Sequence, residues 1–293
     1  MSKIELALRR AQQARTTGGL PVLVAPVGQE GRPRATGLVA ESRPTGESIR
    51  AIARMKTESA LALDERASRY LIHPELADRS LVQVFRELRT KIIQLAQGRN
   101  RVILVTSVSR EGGASFVSQN LAAAFALDEA KTALIIDCHL RYPGMRRLLK
   151  GESILGLTDY LESEDLEVGA IIHSMGVERL RLIPAGMRRE LSTEHFTSLR
   201  MRRLIQTLRD RYPERFIFID GPPMTDAGDI QMLAELCDLI VVVARYGRVT
   251  NVEIDAALAR IPSAKLLGLL FNDIPSVPAK ARKPQRRRNG AAR

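Results

Sequence analysis

Three short segments of this chain carry residue types able to handle phosphate. The first, Thr106-Ser107-Val108-Ser109-Arg110-Glu111-Gly112-Gly113-Ala114-Ser115, follows an apolar run at 101–106. It precedes a helical pattern at 115–127 with Val117, Leu121, Ala124 and Phe125 on one face. A strand, a glycine-containing loop and a helix in that order aim backbone N–H groups and the positive end of a helix at an anion. The second and third segments, Ile135-Ile136-Asp137 and Phe218-Ile219-Asp220, each close an apolar run with a carboxylate. A carboxylate so placed can orient a magnesium-bound water beside a phosphate. Yet Ala114 stands where such loops carry a lysine reaching the β- and γ-phosphates, and Val108 stands where they carry their first glycine. The residues point to a nucleotide-binding fold whose phosphate chemistry is partly dismantled.

The elements that must hold these segments alternate along the chain. Strands are expected at 102–106, 133–137, 180–183, 216–220, 239–244 and 266–271, and helices at 80–95, 115–127, 198–211, 229–236 and 251–261. Strands that are apolar throughout, separated by helices, predict an α/β fold: a doubly wound, mostly parallel sheet with helices on both faces. In such sheets the chemistry sits at the carboxyl ends of the strands.

The whole chain has 293 residues, 45% apolar and 27% charged, enough for one α/β domain with appendages. The pattern divides it into an N-terminal amphipathic helix at 1–15, a flexible linker rich in Gly, Pro, Thr, Arg and Ser at 16–57, the α/β domain at 58–278, and a basic tail at 279–293. No apolar run approaches the ~20 residues of a membrane span, and the N-terminus lacks the apolar core of a secretion signal. Cys138 and Cys237 fall in apolar segments without CxxC or His spacing, which suggests buried thiols in a cytoplasmic protein. The net charge is +12, and 280–293 holds seven Lys or Arg and no acid. Such a block is a solvated tail or an adhesion to anionic lipid or an acidic partner. With no Trp and no aromatic residue between those cations, the sequence argues against nucleic acid.

Several further segments carry a resemblance. They are Phe85-Arg86-Glu87-Leu88-Arg89-Thr90, Gln119-Asn120-Leu121-Ala122, Leu140-Arg141-Tyr142-Pro143 after Asp137, and Gly156-Leu157-Thr158-Asp159-Tyr160-Leu161. Then follow Ile183-Pro184-Ala185-Gly186, Arg200-Met201-Arg202, Ile219-Asp220-Gly221-Pro222-Pro223, Asp229, and Leu267-Gly268 with Asn272. In that order, over about 80–273, they resemble the cytoplasmic domain of the bacterial tyrosine kinases of exopolysaccharide and capsule production, members of the deviant Walker ATPases. The resemblance implies ATP or ADP with Mg²⁺ as ligand. Arg110, Gly112, Gly113, Ala114, Ser115, Phe116 and Asn272 would lie at the nucleotide, and Ser115, Asp137 and Asp220 at the magnesium. It also implies a homo-oligomer through the helix of Arg86 and Arg89, and a membrane polysaccharide chain-length or export protein as partner at the inner face of the cell membrane.

The departures from that family pattern are as informative. Where it has Pro-Gly-x-Gly-Lys-Ser/Thr, positions 110–115 read Arg110, Glu111, Gly112, Gly113, Ala114 and Ser115. Alanine cannot neutralise phosphate, and Glu111 adds a carboxylate beside it. His139 replaces the second acid of an Asp-x-Asp pair that begins at Asp137, leaving Asp137 and His139 as the catalytic pair of any residual activity. Gln83 replaces the glutamate of the oligomerisation helix. All five tyrosines, Tyr70, Tyr142, Tyr160, Tyr212 and Tyr246, precede residue 247, so the family's C-terminal tyrosine cluster is missing. Two readings follow. One is a pseudo-kinase that keeps the fold for docking, with nucleotide binding weak or lost. The other is a weakly active tyrosine kinase or ATPase in which Arg110 or a neighbouring subunit supplies the missing charge. A partition-type ATPase whose tail binds DNA is the third and least supported.

Overall fold

The computed structural model describes residues 22–24, 65–66, 71–73, 79–97, 99–151 and 153–274. Its elements run β1 Val22–Val24, α1 Arg79–Ala96, β2 Val102–Ser107, α2 Ala114–Ala126, β3 Thr132–Asp137, α3 Leu157–Glu162, β4 His173–Ser174 and β5 Leu180–Ile183. They continue α4 Ser192–Thr197, α5 Leu199–Arg211, β6 Arg215–Asp220, α6 Ala227–Leu236, β7 Leu239–Arg245, α7 Asn251–Leu258 and β8 Leu266–Asn272. Each of the six strands expected from sequence forms within a residue of its expected ends.

These strands make one sheet in the order β1-β8-β7-β2-β6-β3-β5-β4. All pairings from β8 to β5 are parallel, and only the short outer strands β1 and β4 run antiparallel. β2 lies inside the sheet, between β7 and β6. The chain leaves β2 in one direction to reach β3 and later returns to β7 on the other side. The loops after β2 and β3 therefore diverge and open the crevice in which open α/β sheets bind ligands.

Alternate side chains of each strand enter two cores. Ile103, Val105, Ile135, Phe216, Phe218, Val241 and Val243 pack under α1 and α2. Leu104, Leu134, Ile136, Ile217, Ile219 and Val242 pack under α5, α6 and α7. Helix α2 is buried almost all round because α1 covers its outer side, which explains a sequence of alanines with little amphipathic contrast. Arg89 of α1 donates to the carbonyl of Ala124 in α2 at 3.0 Å, whereas Arg86 is exposed. Of the two arginines assigned to an oligomer contact, one thus braces its own domain.

Residues 22–24 depart from the expected linker. They pair with β8 through Val22↔Phe271, Leu23↔Leu270 and Val24↔Leu269, covering what would otherwise be an open sheet edge. Gly18, Gly19, Pro21 and Pro26 frame this three-residue run, so by composition it reads as linker. The expected N-terminal helix and the basic tail lie outside the described residues. Among the described residues no helix is long and apolar enough to cross a membrane.

Candidate functional site

Strand register brings the carboxylates together. Asp137 is the direct neighbour of Asp220 across β3 and β6, and Asp220 that of Val105 across β6 and β2. The loop between β2 and α2 arches over this point. Ser107 Oγ donates to the carbonyl of Ser109 at 2.7 Å, and Gly112 N–H reaches the same carbonyl at 3.3 Å, so the loop closes on itself. Gly113 caps α2 with φ +92°, and a Cβ there would collide with Asn272 Nδ2. Asn272, at the end of β8, thus lies against the loop, with Nδ2 3.5 Å from the Gly112 carbonyl. Glu111 also adopts a left-handed conformation, φ +58°. The backbone keeps a turn that favours glycine at a position where the sequence now has a charged side chain.

Below the loop, Ser115 Oγ donates to Asp220 Oδ2 at 2.7 Å. Asp220 is 1% exposed, and its Oδ1 has no hydrogen-bond partner within the described residues. Burial, with Asp137 nearby, raises its pKa to about 7, against the opposing pull of His139 and Ser115. His139 Nε2 stands 3.9 Å from Asp220 Oδ2 and makes no hydrogen bond among the described residues. Asp137 is occupied differently: Oδ1 accepts from His139 N–H at 3.0 Å and Oδ2 from Met145 N–H at 3.0 Å. It organises the loop that follows β3.

Ala114, at the lysine position, is 5% exposed and joins the core under α1. Phe116 packs edge-on against Phe85, centroids 6.1 Å apart, so only its backbone faces the loop. Arg110 turns outward, with its guanidinium 4.6 Å from the Tyr142 ring centre. That hydrogen-bonded contact raises the arginine's already high pKa. Glu111 is exposed. A magnesium ion fits these residues: a serine hydroxyl and a buried carboxylate with one unpaired oxygen stand side by side. To a polyphosphate the loop offers backbone N–H groups and the start of α2; its one cationic side chain, Arg110, turns to Tyr142, and Glu111 adds a carboxylate. Among the described residues no group of three His, Cys, Asp or Glu could hold a metal alone.

Sequence reasoning missed the role of Asp229, which is buried and accepts from both Ser192 and Thr193 at the start of α4. Arg141 faces it at 3.6 Å. The Ser-Thr pair at the start of a short helix, with an acid in α6 to receive it, was the available signal.

The sheet order, the phosphate-type loop at the end of an interior strand and the paired aspartates define an α/β domain with the fold of the phosphate-loop class. No family-level sequence model matches the chain. Individual relatives are more specific. The chain is 30% identical over 195 residues to tyrosine-protein kinase CpsD of Streptococcus agalactiae, covering 66% of this chain and 83% of that protein. To tyrosine-protein kinase Etk of Escherichia coli strain K12 it is 28% identical over 198 residues, 67% of this chain but only 27% of that protein's length. Among solved structures, the BceF tyrosine kinase domain matches with a TM-score of 0.60 and 25% identity, covering 82% of this chain and 94% of that one. The kinase domain of Escherichia coli Etk matches with 0.61 and 26%, covering 70% and 80%. The chain belongs to the bacterial tyrosine kinase family.

Proposed function

We propose that this protein is a degenerate bacterial tyrosine kinase, a pseudo-kinase that serves as an accessory subunit of exopolysaccharide synthesis or export. It binds ATP weakly or not at all, and acts at the inner face of the cell membrane by docking on a membrane chain-length or export partner. The observation that carries this reading is the buried methyl of Ala114 at the start of α2, where the family's loop holds a lysine. Glu111 in a left-handed turn and His139 in place of a carboxylate support it. The partner and the process come from the resemblance to kinases of that class.

One observation favours a second reading, a weakly active ATPase or kinase. Ser115 and Asp220 keep a magnesium-type contact, and the buried Asp220 carries an unpaired oxygen that a purely structural role would not need. Were magnesium bound there, it would supply charge neutralisation for phosphate, while Ser115 and Asp220 would hold it.

Chromosomal substitutions in the producing cell separate the two. If the protein docks without catalysis, Ala114→Lys combined with His139→Asp leaves polymer yield near normal, and so does Asp220→Ala in a form that still folds. Loss of polymer in Asp220→Ala, with abundance and melting temperature unchanged, would overturn the pseudo-kinase reading in favour of the second.

A further inference from the structure

Large apolar side chains left exposed on a folded domain mark a surface that meets something else when they gather in one place. Here they gather at the carboxyl end of the sheet. Tyr142 (54% exposed) lies in the loop after β3, Met187 (62%) and Leu191 (70%) in the loop after β5, and Leu199 (71%) at the first residue of α5. The loops are fastened to one another: Arg189 N–H donates to the Leu140 carbonyl at 2.9 Å and Arg141 Nε to the Glu190 carbonyl at 3.1 Å. The Arg188 guanidinium lies 5.4 Å from the Tyr142 ring centre. Arg202 and Arg203, also exposed, follow Leu199 on α5.

Two facts say what this end meets. The apolar groups stand among guanidinium groups whose partners within the domain are carboxylates, Arg188 with Glu190, Arg189 with Glu162 and Arg202 with Glu235. In interfacial segments such arginines turn to lipid phosphates while apolar side chains dip below the headgroups. And because β8 runs parallel to its neighbour β7, the last described residues, 273 and 274, lie at this same end, and the sequence beyond them includes 280–293 with its seven cations and no acid. Each such cation contributes about 1 kcal/mol near an anionic surface.

We propose that the loop 187–191, with Leu199 and the arginines around it, is a bilayer-docking face that inserts Met187, Leu191 and Leu199 into the headgroup region of an anionic membrane. It sets the orientation of the domain with the carboxyl end of its sheet toward the lipid. The proposal rests on the membrane-peripheral part of the function above and adds which face is turned to the bilayer.

The chain has no tryptophan, so Leu191→Trp in the full protein is a unique reporter. It is mixed with vesicles of phosphatidylcholine containing phosphatidylglycerol, and with phosphatidylcholine alone. The expected result is a blue-shifted emission quenched by bromine-labelled acyl chains, on anionic vesicles only. Asp210→Trp, near the opposite end of α5, should stay unshifted. The triple variant Met187→Ser, Leu191→Ser, Leu199→Ser should weaken anionic-vesicle flotation about tenfold or more, with unchanged circular dichroism and melting temperature. If vesicles float the protein but the emission of the Leu191→Trp reporter is unmoved and the triple variant binds normally, the tail alone anchors the chain. The docking face is then wrong while membrane association stands. If the wild-type chain ignores anionic vesicles altogether, both the face and lipid association fail. A triple variant that changes only the oligomeric state would make the surface an interface between copies and overturn the proposal.

Discussion

At the scale of single residues, the loop keeps its glycine-type turns while Glu111 and Ala114 stand within it. Glu111 occupies a left-handed turn at φ +58°. A non-glycine residue there costs about 1 kcal/mol in backbone strain. Glu111→Gly is therefore expected to raise stability by up to about 1 kcal/mol, measured by urea unfolding, while removing a carboxylate from the phosphate region. Gly113 shows the opposite case, with φ +92° and Asn272 Nδ2 standing where a Cβ would go. Gly113→Ala should lower stability by roughly 1–3 kcal/mol. Asp220 gives a pH signature. Its folded pKa of about 7 lies above the unfolded value near 4, so between these the native state holds a proton that the unfolded chain has released. Stability contributed here falls as pH rises from about 4 to about 7 and is flat above. Asp220→Asn, neutral throughout, should flatten that slope and be the more stable protein at pH 8. Urea titrations across pH 4–8 would show it, and an unchanged slope would exclude burial of Asp220 as its source.

At the scale of elements, the loop after β5 is held by a surface clamp. Arg189 grips Glu162 of α3 through both nitrogens at 2.5 Å, and His195 of α4 reaches the same carboxylate at 2.9 Å. The Arg189 guanidinium, with His195 beside it, holds the Glu162 carboxyl down to about 2. Its stabilising share is thus fully present above about pH 4 and lost as pH falls toward 2. Glu162 is partly exposed, so the effect is modest, about 1 kcal/mol or less. Glu162→Gln should remove it and loosen residues 187–191, read as faster amide exchange in that loop with the central strands unchanged. The elements themselves were legible. Runs such as Ile135-Ile136-Asp137 and Phe218-Ile219-Asp220 admit one reading, because a strand buried on both faces must be apolar throughout. The loop's defect was equally plain, since Ala114 falls in a slot whose chemistry demands a cation. Less legible was what the surviving polar groups touch. Asp137 takes backbone N–H groups of the loop after β3, and Asn272 lies against Gly112 and Gly113. Such outcomes depend on side-chain direction at a loop, which spacing does not encode. Val22–Val24 escaped because pairing at a sheet edge, not local pattern, makes it a strand.

For the whole molecule, the sheet presents one end to its surroundings. The divergent loops, the phosphate-type loop, the exposed Met187, Leu191 and Leu199, and the last described residues after β8 all fall at the carboxyl ends of the strands. A truncation after Ile274 removes the basic segment and leaves every described strand, and the buried Ile274, in place. It is expected to lower membrane association, most strongly at low salt where the cations are unscreened. Fractionation of the producing cells would read this, and unchanged membrane association would leave the tail no part in it. The central claim, however, concerns the phosphate loop. A charge-assisted bond to phosphate contributes about 1.5–3 kcal/mol, so without the lysine affinity should fall by about 10- to 100-fold. Calorimetric titration of the wild-type chain with ATP and Mg²⁺, alongside Ala114→Lys and Ala114→Lys with Glu111→Gly, tests this most directly. The account predicts weak or undetectable binding for the wild type, partial recovery with lysine alone and further recovery with both changes. A submicromolar dissociation constant for the wild-type protein would contradict it.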